Sequence, residues 1–162
     1  MTEYFKEIYE KIQDNWNVES SLKYFGTGKS NEGSEESKAI KRCYIEPKDK
    51  RFRQIFLNFD LNRNIESIVW FLDKNESELL SLAQLKELFG LFETHNTIYD
   101  ETTELFFLPT QNKFIKYVKT TIPEWVEKRK NGTLYFKKDN QEFEIDDSYK
   151  VSSIIFKLKN AA

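Results

Sequence analysis

The sequence predicts an α+β domain, a mainly antiparallel β-sheet packed against an N-terminal amphipathic helix and a second, central helix. Apolar residues recur at clear helical spacing near the N-terminus and again near the middle of the chain. Most of the remainder consists of short alternating runs separated by turn residues, which is the period of half-buried strands. No internal repeat, heptad run or Pro-rich linker interrupts this pattern. A chain of 162 residues fits one core, because two would leave each half too little apolar surface to bury. Residues 1–160 are therefore expected to form a single domain, and Ala161 and Ala162 are given no weight.

Phe5, Ile8, Tyr9, Ile12 and Trp16 fall three and four residues apart, opposite Glu3, Lys6, Glu7, Glu10 and Lys11. This spacing predicts an amphipathic helix over 2–16, capped by Thr2. Residues 26–38, GTGKSNEGSEESK, contain no apolar side chain and are expected to form a mobile loop. Strands are predicted over 40–45, 54–59 and 65–72, the last two joined as a hairpin by residues 60–64. Leu82, Leu85, Leu88 and Phe89 form the stripe of a helix over 79–89, ended by Gly90 in a left-handed cap.

Two strands are expected next, at about 91–99 and 102–108, whereas 113–121 suits a helix or a strand equally well. Thr121-Ile122-Pro123-Glu124 has the form of a capping box opening a short helix through Trp125 and Val126. A two-residue turn at Asp139-Asn140 sets Lys137 opposite Glu142, Phe136 opposite Phe143 and Leu134 opposite Ile145, with Val151 to Leu158 as the closing strand.

The core must be rich in rings, since the chain holds 14 Phe, 8 Tyr and 3 Trp. The 25 basic and 27 acidic residues nearly cancel, so no whole-protein field draws the chain to nucleic acid or an anionic membrane. Cys43 has no internal disulfide partner, and the N-terminus is charged and amphipathic rather than a signal peptide's apolar run. A cytoplasmic location is expected, with no transmembrane segment, because no run approaches the ~20 apolar residues of a span.

Gly26-Thr27-Gly28-Lys29-Ser30 lacks the first glycine of a phosphate-binding loop, having Lys23 there, and no buried strand precedes it. His95 is the sole histidine, which excludes any site with two His ligands, and no metal or other cofactor is expected. If Asp100-Glu101 forms a two-residue turn, Glu93, His95, Thr97 and Tyr99 share a sheet face with Thr102, Glu104 and Phe106. In that register Glu104 sits opposite Thr97 and diagonal to His95, an arrangement a small acid/base hydrolase could use. The same hairpin is the candidate partner-binding region: Glu93, His95, Tyr99, Asp100, Glu101 and Glu104, with no catalytic residue assigned.

Lys38, Lys41, Arg42, Lys48, Lys50, Arg51 and Arg53, interleaved with Tyr44 and Phe52, have the composition of a small nucleic-acid patch. Pairing with Glu46 and Asp49 in a solvated loop is the favoured alternative. Acidic residues gather at Asp73, Glu76 and Glu78, at 100–104, and at Glu142, Glu144, Asp146 and Asp147, where they discourage unwanted strand pairing or steer a basic protein.

The stretch LAQLKELFGLFETHNTIYDETTELFFLP, residues 82–109, resembles the helix, Phe-Gly and aromatic hairpin of small bacterial immunity proteins that neutralise secreted toxins. The resemblance implies a non-enzymatic protein-binding function with a toxin as partner, and carries no role residue by residue.

Overall fold

The computed structural model describes residues 1–12, 16–31, 41–73, 80–97, 101–109, 112–131 and 133–159. In chain order they form α1 (Thr2–Lys11), α2 (Val18–Phe25), β1 (Gly26–Asn31), β2 (Lys41–Pro47), β3 (Phe52–Phe59), β4 (Ile65–Leu72) and α3 (Leu82–Phe89). There follow β5 (Phe92–Thr97), β6 (Thr102–Phe107), β7 (Ile115–Ile122), β8 (Val126–Lys130), β9 (Thr133–Lys138), β10 (Gln141–Ile145) and β11 (Ser153–Leu158). The fold is α+β. An eight-stranded sheet runs β1-β2-β3-β4-β11-β7-β6-β5, and a three-stranded sheet runs β10-β9-β8. All pairings within both are antiparallel.

Two consecutive meanders, β1 to β4 and β5 to β7, are joined by the last strand. β11 lies between β4 and β7, pairing Ile155 with Val69 on one side and with Lys119 on the other. Strand periodicity sends Ile154, Phe156 and Leu158 to the inner face, where all are buried. There the helices meet the sheet through rings. Phe5 of α1 lies 5.2 Å from Trp70, and Phe25 of α2 5.7 Å from the same indole. Phe89 of α3 lies 5.6 Å from Phe156. The indole nitrogen of Trp70 donates to the Tyr4 hydroxyl at 3.1 Å, so the buried polar edge is satisfied.

α1 is shorter than predicted, with Met1 at its N-cap and no side-chain cap from Thr2. Ile12 is already extended, and Asn112 donates its side-chain amide to the carbonyls of Tyr9 and Ile12, closing the helix from a distant loop. Trp16 instead pairs its carbonyl with the amide of Ile65. The following α2 was not predicted, although Asn17 caps it by accepting from the Ser20 amide at 2.8 Å. α3 opens with a reciprocal Ser81 and Gln84 capping box. Gly90 ends it at positive φ (89°) but with ψ of −156°, not as a left-handed helical cap.

The expected mobile loop over 26–38 is corrected in its first half, because 26–31 is the edge strand β1; residues 32–38 lie outside the described residues. Its glycines serve close approach. A Cβ on Gly28 would meet the Cys43 sulfur and a Leu22 methyl, each at 2.8 Å. One on Gly26 would lie 2.1 Å from the Glu46 carbonyl oxygen, at a φ of +148°.

The ambiguous stretch 113–121 is mostly β7, and the capping box at 121–124 does not form a helix. The backbone turns there into β8 because the buried Thr103 hydroxyl donates to the Glu124 carbonyl at 2.9 Å and accepts from the Val126 amide at 3.0 Å. Thr103 thus engages a carbonyl and an amide that a helix here would have paired within itself. The hairpin at Asp139-Asn140 has the predicted register, and both turn residues have positive φ, 52° and 62°. Phe136 lies opposite Phe143 as expected and stacks on it, but the ion pairs of Lys137 and Glu142 run to Glu127 and Lys128. The small sheet is tied to the inner side of the large one by Asn96, which donates to the Val126 carbonyl, and by Arg129, which donates to that of Phe92.

Phe5→Ala is expected to cost about 3–5 kcal/mol in chemical denaturation, the range for emptying a fully buried ring site. Gly26→Ala is expected to cost more than about 1 kcal/mol. Hydrogen exchange should then rise in β1 and stay low in β6 and β7.

Candidate functional site

Alternation gives the large sheet a second face. The helices and the small sheet pack on the inner face, and among the described residues no element covers the outer one. The registers define a row across all eight strands of that face. It begins at the exposed end with Lys29, Tyr44, Phe56 and Val69. It continues through Ile155, Lys119, Phe106 and Glu93. The row is cationic at the β1 end, aromatic and aliphatic from Tyr44 to Ile155, broken by Lys119 before Phe106, and acidic at the β5 end.

Neighbouring rings extend the apolar belt. Tyr44 lies 5.9 Å from Phe56, and Phe56 lies 5.7 Å from Phe71. At the other end Phe106 meets Tyr117 edge-on at 5.2 Å and His95 at 6.4 Å. Cations lie over these rings: Arg42 over Phe56 at 4.4 Å, Arg53 over Phe71 at 5.5 Å, and Lys119 over Phe106 at 5.8 Å. A polar row flanks the belt, in which Arg42 donates to Asn58 at 3.0 Å and Asn58 donates to Ser67 at 2.8 Å. Tyr44 is 43% exposed, and Leu91 and Leu108, just beyond β5 and β6, are 82% and 57% exposed.

Of the predicted site residues, Glu93, His95 and Glu104 do share this face with Thr97, Thr102 and Phe106, but the register is shifted. Residues 98–101 connect the strands, so His95 lies directly opposite Glu104 and Thr97 opposite Thr102. A two-residue turn would have paired Thr97 with Glu104; the longer connection moves each partner by two, which preserves the face and changes the neighbours. Glu101 is exposed at a φ of 52°, while Tyr99 and Asp100 lie outside the described residues. The Glu104 carboxylate is engaged by the Lys119 ammonium at 3.3 Å. The predicted cluster is thus the acidic end of a longer surface.

The basic stretch around Pro47 is largely committed internally. Phe52 is buried in the core. Arg51 holds Asp49 at 2.7 Å, and the Lys48 ammonium donates to the Lys23 carbonyl at 2.8 Å. Arg42, Tyr44 and Arg53 contribute instead to the open face. Hydrogen bonding from Arg51 holds the Asp49 carboxyl below its usual range. Burial raises the Tyr4 and Tyr149 phenols well above theirs, and Tyr149 donates to Glu124 at 2.9 Å.

A cleft of about 780 Å³ lies between α1, α3 and the turn at 112–114. Its Tyr9 hydroxyl already accepts the Asn112 amide, and charges of both signs, among them Lys6, Glu10, Glu87 and Lys113, line it. Among the described residues no group of His, Cys, Asp and Glu has metal-ligand geometry, and no helix is long and apolar enough to cross a membrane.

Sequence reasoning missed the centre of the face. Its signal was present: β4 carries Val69 and Phe71, and β3 carries Phe56 between Gln54 and Asn58, on the side opposite their core residues. Comparison with known protein families, curated proteins and solved structures finds no match to this chain.

Because Asp49 has a depressed folded-state pKa, the stability it contributes is present above the unfolded carboxylate pKa and is lost as pH falls through the folded one. Asp49→Asn should flatten that part of an acid-denaturation curve. An unchanged curve below the ordinary carboxylate range would show that the Arg51 pair does not govern acid stability.

Proposed function

We propose that this protein is a non-enzymatic protein-binding module that seats a protein partner on the open face of its large sheet. The observation that carries this reading is the aromatic and aliphatic row across that face, bounded by charged ends and a hydrogen-bonded polar flank. An apolar belt from Tyr44 to Ile155 with a polar border supports an interaction surface. Tyr44 and Arg42 are of the residue types that dominate binding energy once desolvated. The resemblance of residues 82–109 to immunity proteins supports a toxin as the partner, neutralised by occlusion. Glu93 and Glu104 would then direct its basic groups to one end of the belt.

The test is calorimetric titration against the purified, inactivated product of the adjacent open reading frame. Saturable nanomolar binding, worth about 12 kcal/mol, is expected. Tyr44→Ala should weaken it by about 2 kcal/mol, near thirtyfold, without lowering the melting temperature. No heat from a folded partner, or binding indifferent to Tyr44 and Phe106 truncation, would remove the reading.

A further inference from the structure

We infer that the open face is self-complementary, and that in the free protein a second copy of this chain covers it in a two-fold, face-to-face dimer. The inference rests on the same face as the binding reading and names one occupant for it. Its basis is the order of side chains along the central row. The midpoint falls between Val69 on β4 and Ile155 on β11, with four strands on each side.

A two-fold axis lying in the interface, parallel to the strands and through that midpoint, exchanges the two halves. Val69 then meets Ile155 of the second copy, and Phe56 meets Lys119, a cation beneath a ring. Tyr44 meets Phe106, an aromatic pair, and Lys29 meets Glu93, opposite charges. Each contact occurs twice, as an isologous interface requires. In the adjacent row Thr27 meets His95, and Glu46 meets Glu104, whose carboxylate the Lys119 ammonium already engages. The alternative in-plane axis, across the strands, would set Lys29 on Lys29 and Glu93 on Glu93, and charge disfavours it.

The dimensions suit the arrangement. Eight strands at about 4.8 Å and three outward rows at about 6.8 Å give a face of ~38 by ~20 Å, on the order of 800 Å². A stable pair buries about 800 Å² per partner. Aligned sheets pack about 10 Å apart with strand directions within about 30°, so positions nearest the axis keep their partners best. Val69, Ile155, Phe56 and Lys119 are those positions, and they supply the apolar and ring contacts.

Sedimentation velocity of the full chain across the micromolar range tests this directly. A reversible dimer is expected, with Tyr44→Ala raising its dissociation constant at least tenfold. Because Ile155 flanks the axis in both copies, Ile155→Lys and Ile155→Asp should each be monomeric alone and should dimerise when mixed. Circular dichroism melting of each variant separates loss of pairing from loss of fold. A wild-type monomer throughout, or a dimer that Tyr44→Ala and folded Ile155 variants leave intact, overturns the inference. Should a monomer still bind the neighbouring gene product, the self-association fails while the binding reading stands. A face-to-face dimer that binds no such product has the opposite meaning.

Discussion

The pairing of β11 with both β4 and β7 is the interaction on which the rest of this structure depends. Without it the chain holds two separate meanders, each ending in an open edge, and no continuous surface for the helices to cover. With it, Phe156 stands between Trp70 and Phe89, 4.9 Å from the first ring and 5.6 Å from the second. The buried rings of α1, α2 and α3 thereby join one hydrophobic cluster. The join is reinforced beyond the ladder, because Thr120 donates to the Ser153 carbonyl at 2.7 Å and the Leu72 amide reaches that of Ser152 at 2.9 Å. Both contacts fix where β11 starts, and hence its register on either side.

The same constraint shapes the outer surface. A strand flanked on both sides has its backbone groups satisfied, so its side chains alone decide what each face does. β4 and β11 put Trp70 and Phe156 inward and Val69 and Ile155 outward, which places the apolar centre of the open face directly behind the centre of the core. Charged residues stand at the edges, Lys29 and Arg42 on one side and Glu93 on the other, while Ser67 on β4 and Lys157 on β11 keep a polar row beside the apolar centre. Substitutions at the middle of this face therefore act on a rigid platform, whereas those at its margins act on edge strands.

Much of the fold was legible because its signals are local. The hairpin at Asp139-Asn140 follows from two residues that tolerate positive φ between alternating runs, and its pairing could be set residue by residue. The 60–64 hairpin and the central helix are legible for similar reasons. What failed depends on distant partners. Thr121 to Glu124 has a helix-start pattern, but Thr103, from another strand, satisfies the backbone first. Gly26 and Gly28 read as flexibility in isolation, and only the nearness of Leu22, Cys43 and Glu46 reveals them as places where a side chain has no room. The site was legible at one end alone. Its acidic residues and histidine stand out by type, whereas Phe56, Phe71 and Ile155 look like core residues until the registers assign them a face.

This architecture also places a demand on folding. The strand between β4 and β7, β11, follows β7 by some thirty residues, so the two cannot be joined until Ser153–Leu158 is present. Before then β4 exposes an unpaired edge and carries apolar side chains on both faces, a combination that invites pairing with other chains. Non-local strand pairing is slow, since loop closure must precede the contacts that reward it. The local elements shorten that interval: the β3–β4 hairpin can form early, and α1 and α2 are available to cover its inner side. No comparable element among the described residues lies over Phe71 outside, and Val69, 5% exposed, is closed over by its neighbours' side chains alone. The outer side of β4 is therefore protected only once β3 and β11 flank it and their side chains close over Val69.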